Sequence, residues 1–202
     1  TDDPVVWTRD YVGLMTALLN SERSIDEVLD ILIDWAAPGE AGSEDTAGAT
    51  WQRTADLDED GTEELLISAV QPGGGCGVTW CPAYVILFSQ ENDLWTPQRV
   101  VTGDAPDEVT LGRPEIERIA DINDDDETEV VVTESRCGAH TCFTTIQIGQ
   151  WDGTAWHDLT ADPMDQAYSD VVIEDRDGDG VLEIQMHGGT FGSVGAGLQR
   201  QE

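Results

Sequence analysis

The sequence predicts a mainly β protein built of antiparallel, propeller-like blades behind an N-terminal helical segment. Three observations predict it. One acidic nine-residue pattern occurs three times, each copy runs into a Leu-, Ile- or Val-rich stretch, and similar strand and turn segments recur around the copies. Repetition at roughly 60-residue spacing signals a repeated supersecondary unit, and four antiparallel strands per unit make a propeller blade.

Residues 1–7 come first. Pro4, Val5, Val6 and Trp7 read as an extended apolar segment without a local partner, a candidate donor strand. Residues 8–37 read as helical. Tyr11, Leu14, Met15, Leu18 and Leu19 recur at helical spacing, and Ser24 with Glu27 forms a capping box ahead of Val28, Leu29, Ile31, Leu32 and Trp35. Residues 38–50, rich in Gly and Ala with Pro38, Ser43, Asp45 and Thr46 among them, read as a linker. The β-repeat domain fills 51–202, with units at about 51–107, 114–165 and 170–202. Strands are expected at 51–55, 65–70, 83–89 and 97–101, then at 116–120, 130–133, 143–149 and 155–159, then at 171–174 and 183–186. The third unit stops short, after a glycine-rich hairpin at 188–197.

The repeated pattern places oxygen-bearing side chains at positions 1, 3, 5 and 9 around a tight turn. The copies are Asp56, Asp58, Asp60 and Glu64; Asp121, Asn123, Asp125 and Glu129; and Asp175, Asp177, Asp179 and Glu183. The backbone carbonyls of Thr62, Glu127 and Val181, at position 7, would complete each shell. A set of hard oxygen ligands suits calcium, giving three expected sites. Solvation alone explains one acidic turn between strands; it does not explain three with matched ligand spacing. An EF-hand would need a bidentate Glu at position 12, where Ile67, Val132 and Met186 stand instead.

Four cysteines form two pairs of equal spacing, Cys76 with Cys81 and Cys137 with Cys142. Each pair can close a disulfide across a hairpin, contributing about 2 kcal/mol by loop entropy and implying an oxidising compartment. The alternative is a zinc site in which both pairs converge near His140.

Composition narrows the function. The chain carries 42 acidic against 9 basic residues, a net charge of −33, and every basic residue is arginine. Such a field repels phosphate backbones and anionic lipid surfaces, and no apolar run reaches the roughly 18 residues that a spanning helix needs, so neither nucleic acid nor membrane insertion is expected. A chain that begins at Thr1 reads as a processed or trimmed product, and the loops and cysteines together predict an extracellular or cell-surface setting. His140, His157 and His187 sit in unrelated contexts, Phe191 occupies the position where a nucleophile elbow around Ser193 needs glycine, and the seven tryptophans suit cross-strand packing. No enzyme is expected.

The three acidic loops, each set directly before a strand, resemble the FG-GAP repeats of integrin α-chain propellers and the related VCBS repeats of bacterial secreted proteins. The resemblance covers about residues 51–202 and implies calcium at the positions named above. Asp126 stands where the family has a turn glycine, and Glu stands at position 9 throughout. Three units are fewer than the four to eight blades that close a ring.

Two functions follow from these features. In the first, a structural protein self-assembles head-to-tail into a filament, the 4–7 strand of one copy adding to the open edge of the next. In the second, an adhesion or recognition module binds a protein or glycan through loops at one end of the blades. A third, an accessory domain of a secreted enzyme, rests on the breadth of the family.

Overall fold

Two helices lead the chain. In the computed structural model, which describes residues 4–36, 52–70, 82–100, 110–111, 113–137, 142–160 and 164–189, α1 spans Pro4–Leu19 and α2 spans Ile25–Ala36. The extended donor strand expected at 4–7 is therefore corrected: these residues are the first turn of α1. Proline at the first helical position has its φ already set and lacks only an N–H that would have no intrahelical partner. Val5 and Val6 cost little there, because adding residues to an existing helix is easier than starting one. α2 begins with the expected capping box. Ser24 N–H donates to Glu27 Oε2 at 2.9 Å, and Glu27 N–H returns to Ser24 Oγ at 3.3 Å.

Among the described residues twelve strands follow, and every pairing is antiparallel. The first sheet holds β1 (Gln52–Ala55), β2 (Glu64–Val70), β3 (Pro82–Glu91) and β4 (Leu94–Val100) in that order, with β5 (Thr110–Leu111) also on β3. The second repeats this plan with β6 (Arg113–Ala120), β7 (Glu129–Cys137), β8 (Cys142–Trp151), β9 (Trp156–Asp158) and β10 (Met164–Ala167). A two-stranded sheet of β11 (Asp170–Glu174) and β12 (Glu183–His187) completes the described residues.

The outer strand of each large sheet is split. β4 covers residues 86–91 of β3 while β5 covers 82–83, and β9 covers 149–151 of β8 while β10 covers 143–146. The sequence reading located four strands in each of the first two units and two in the third, and missed β5 and β10. β5 has only two residues, and the Met-Asp-Gln-Ala of β10 has neither alternation nor β-branched side chains to mark it.

The layers stack face to face, and burial explains the continuous apolar runs. Leu65, Ile67, Ile86 and Phe88 face the helices, where they meet Met15, Leu19 and Val28. Their neighbours Leu66, Val85 and Leu87 face the second sheet, against Ile116, Val130, Val132, Trp151 and Trp156. The opposite face of that sheet, with Val131 and Ile146, packs on Val171, Ile173, Ile184 and Met186 of the third. Strands buried on both faces lose polar alternation. The architecture is mainly β with antiparallel sheets, and no closed ring is formed among the described residues.

At the end away from the acidic loops, Cys142 is disulfide-bonded and pairs in register with Cys137, so it is not a zinc ligand. Cys76, Cys81, His140, the 38–50 linker and the tail from residue 190 lie outside the described residues.

Candidate metal centres

The three acidic loops occupy equivalent places, each joining the first strand of a sheet to the second. One hydrogen-bond scaffold is built three times. The N–H at position 2 donates to the position-9 glutamate: Leu57 to Glu64 Oε2 at 2.9 Å, Ile122 to Glu129 Oε2 at 2.9 Å, Arg176 to Glu183 Oε2 at 2.8 Å. The N–H at position 6 reaches back to the position-1 carboxylate, from Gly61 to Asp56 at 3.0 Å, Asp126 to Asp121 at 2.9 Å and Gly180 to Asp175 at 3.2 Å. The N–H groups of Thr62, Glu127 and Val181 donate to Asp60, Asp125 and Asp179. Every loop therefore wraps its backbone around inward-turned carboxylates.

Two positions per loop have positive φ. Position 6 holds Gly61 (89°), Asp126 (67°) and Gly180 (99°), as the turn requires. Position 4 does the same with Glu59 (59°), Asp124 (60°) and Gly178 (81°), which the sequence reading missed. Gly178 and Asp124 carry a signal, since Gly and Asp tolerate the left-handed region; Glu59 carries none.

The ligand sets differ between loops. Carboxylate oxygens of Asp56, Asp58 and Asp60 lie within 4.8 Å of one another, and so do those of Asp175, Asp177 and Asp179. Either triplet can hold a metal ion. In the second loop the Asn123 amide takes part: its Nδ2 donates to Asp125 at 2.9 Å, while its Oδ1 accepts the Asp125 N–H at 3.1 Å. Asp121 Oδ1 accepts the N–H groups of Asn123, Asp124 and Asp125. Asp56 Oδ1 is different, being buried without any hydrogen-bond partner.

Electrostatics mark the same residues. Glu64 is 3% exposed and its pKa is pushed up to about 6, first by burial and then by the charges of Asp58, Asp60 and Asp56, against the pull of the Leu57 N–H. Glu129 is raised for the same reasons, burial first. Asp177 is raised chiefly by the charge of Asp179. Desolvation also works to raise Asp121, but four backbone N–H donors outweigh it and hold this carboxyl below its usual range. Carboxylates raised by one another's charge are a place where a cation is stabilising.

Neighbouring turns share the loop end. The β8–β9 turn lies on the first loop so closely that a Cβ on Gly153 would stand 2.6 Å from Asp58 Oδ2. Within that turn the His157 ring, followed by the Thr154 and Ala155 donors, holds Asp152 far below the usual carboxylate range. Gln150 Nε2 donates to Glu127 of the second loop. His187 contacts Gln185 and is exposed. Comparison with protein-family models, curated proteins and solved structures yields no match.

Proposed function

We propose that the chain is a non-enzymatic calcium-binding module of a secreted or cell-surface protein, whose loop-bound ions shape one end of a sheet stack for recognition of a protein or glycan. The observation that carries this reading is Asp56 Oδ1, a buried and unpartnered oxygen inside a carboxylate triplet. A buried polar oxygen without a donor is costly, and a hard cation satisfies it. The donors are all oxygens, a set suited to calcium rather than to softer metals. In the second loop, a bound ion would draw on Asp121, Asn123 and Asp125. Carbonyls of Thr62, Glu127 and Val181 and carboxylates of Glu64, Glu129 and Glu183 would complete the shells. The resemblance to FG-GAP and VCBS repeats supports the same assignment.

The recognition reading takes precedence over a head-to-tail filament because the segment that would have been donated is helical. Sedimentation velocity in millimolar calcium, repeated after EDTA, tests both readings. A compact monomer in calcium that expands on chelation is the expected result. Large calcium-dependent species would restore self-assembly, and identical sedimentation in both conditions would overturn the calcium assignment.

A further inference from the structure

We infer that the second and third loops form one coupled cation-binding unit, joined to each other more directly than to the first loop, an inference that rests on the calcium reading above. One backbone hydrogen bond carries it: Leu182 N–H donates to the Ile122 carbonyl at 2.8 Å. Both residues lie between ligand positions. Ile122 stands between Asp121 and Asn123, and Leu182 stands between Val181 and Glu183. The N–H of Ile122 is held in turn by Glu129 Oε2.

A cation that orders the second loop fixes the Ile122 carbonyl. That carbonyl holds the Leu182 N–H, and with it the flanking carbonyl of Val181 and carboxylate of Glu183. Apolar packing strengthens the link, since Ile122 is 8% exposed and Leu182 packs against the cluster it belongs to. Asp124 and Gly180 also approach, a Cβ on the glycine lying 3.8 Å from the Asp124 carboxylate. Among the described residues no such backbone bond joins the first loop to either of the others; its link to the second loop is indirect, through Leu57 packed with Val130 and through the turn that sets Gly153 on Asp58 and follows Gln150, the donor to Glu127. Linkage is reciprocal, so a cation in the third loop favours one in the second by the same factor.

The test is a calcium titration of the full chain followed by amide NMR. The Gly61 N–H, bonded to Asp56, reports the first loop, and the Gly180 N–H, bonded to Asp175, reports the third. Asp125→Asn lowers the charge of the second loop but keeps an oxygen for the Glu127 N–H. Ile122→Ala leaves every ligand in place and weakens the contact between the loops. Both should shift the Gly180 midpoint to about tenfold higher calcium and move the Gly61 midpoint by less. Asp60→Asn should move the Gly61 midpoint further than the Gly180 midpoint. An unshifted Gly180 midpoint in Asp125→Asn, with calcium still binding, overturns the coupling. The absence of any calcium response in the unaltered protein overturns the site assignment and the coupling together.

Discussion

Single side chains decide how the loops respond to pH and to cations. Glu64 has its pKa raised from 4.5 to about 6. The stabilisation by its proton is fully present below about 4.5 and is lost as pH rises through about 6. The raised Glu129 and Asp177 act in the same direction. The melting temperature in EDTA should therefore fall as pH rises from 4.5 to 7, whereas saturating calcium should flatten or reverse that trend, since cation and proton compete for the same oxygens. Glu64→Gln keeps an oxygen for the Leu57 N–H and removes the charge. Thermal melts should show this variant more stable than the parent in EDTA and less stabilised by calcium. Gly153→Ala combines a positive φ of 84° with a clash on Asp58. It should destabilise the fold by about 1–2 kcal/mol and weaken calcium binding in the first loop, measured by titration calorimetry.

At the scale of elements, the helices are held to the first sheet by packing and by one side chain. The Asn20 amide spans the edge of β4, its Nδ2 donating to the Trp95 carbonyl at 2.9 Å and its Oδ1 accepting the Trp95 N–H at 2.7 Å. It thereby supplies the two bonds a neighbouring strand would make. Asn20→Ala should cost about 1 kcal/mol in urea unfolding and speed hydrogen exchange at Trp95. The capping box was legible in the sequence because its two residues are three apart and hydrogen-bond to each other. The Asn20 clamp was not, because its partner lies 75 residues away. The same distinction separates β2 and β7, each announced by a long apolar run, from β10, which exists only because β8 offers it an edge.

For the whole molecule, stability resides in the interfaces between layers. Leu66 is 1% exposed between the first and second sheets. Leu66→Ala should lower unfolding free energy by about 2–5 kcal/mol, read by chemical denaturation in calcium. A net charge of −33 opposes compaction throughout. Chelation should therefore lower the melting temperature most at low ionic strength, and added sodium chloride should recover part of the loss through screening.

The sequence by itself determined what depends on neighbours along the chain: the strands beside each acidic loop, the ligand spacing, the α2 cap and the turn glycines. Each is encoded within about ten residues, where residue spacing and backbone preference suffice. Tertiary structure alone decided the rest. It split the outer strands, placed Gly153 against Asp58 and set the Leu182 N–H on Ile122. It also left Asp56 Oδ1 buried without a donor. Those features arise where layers meet, between segments whose separation in sequence carries no periodic signal.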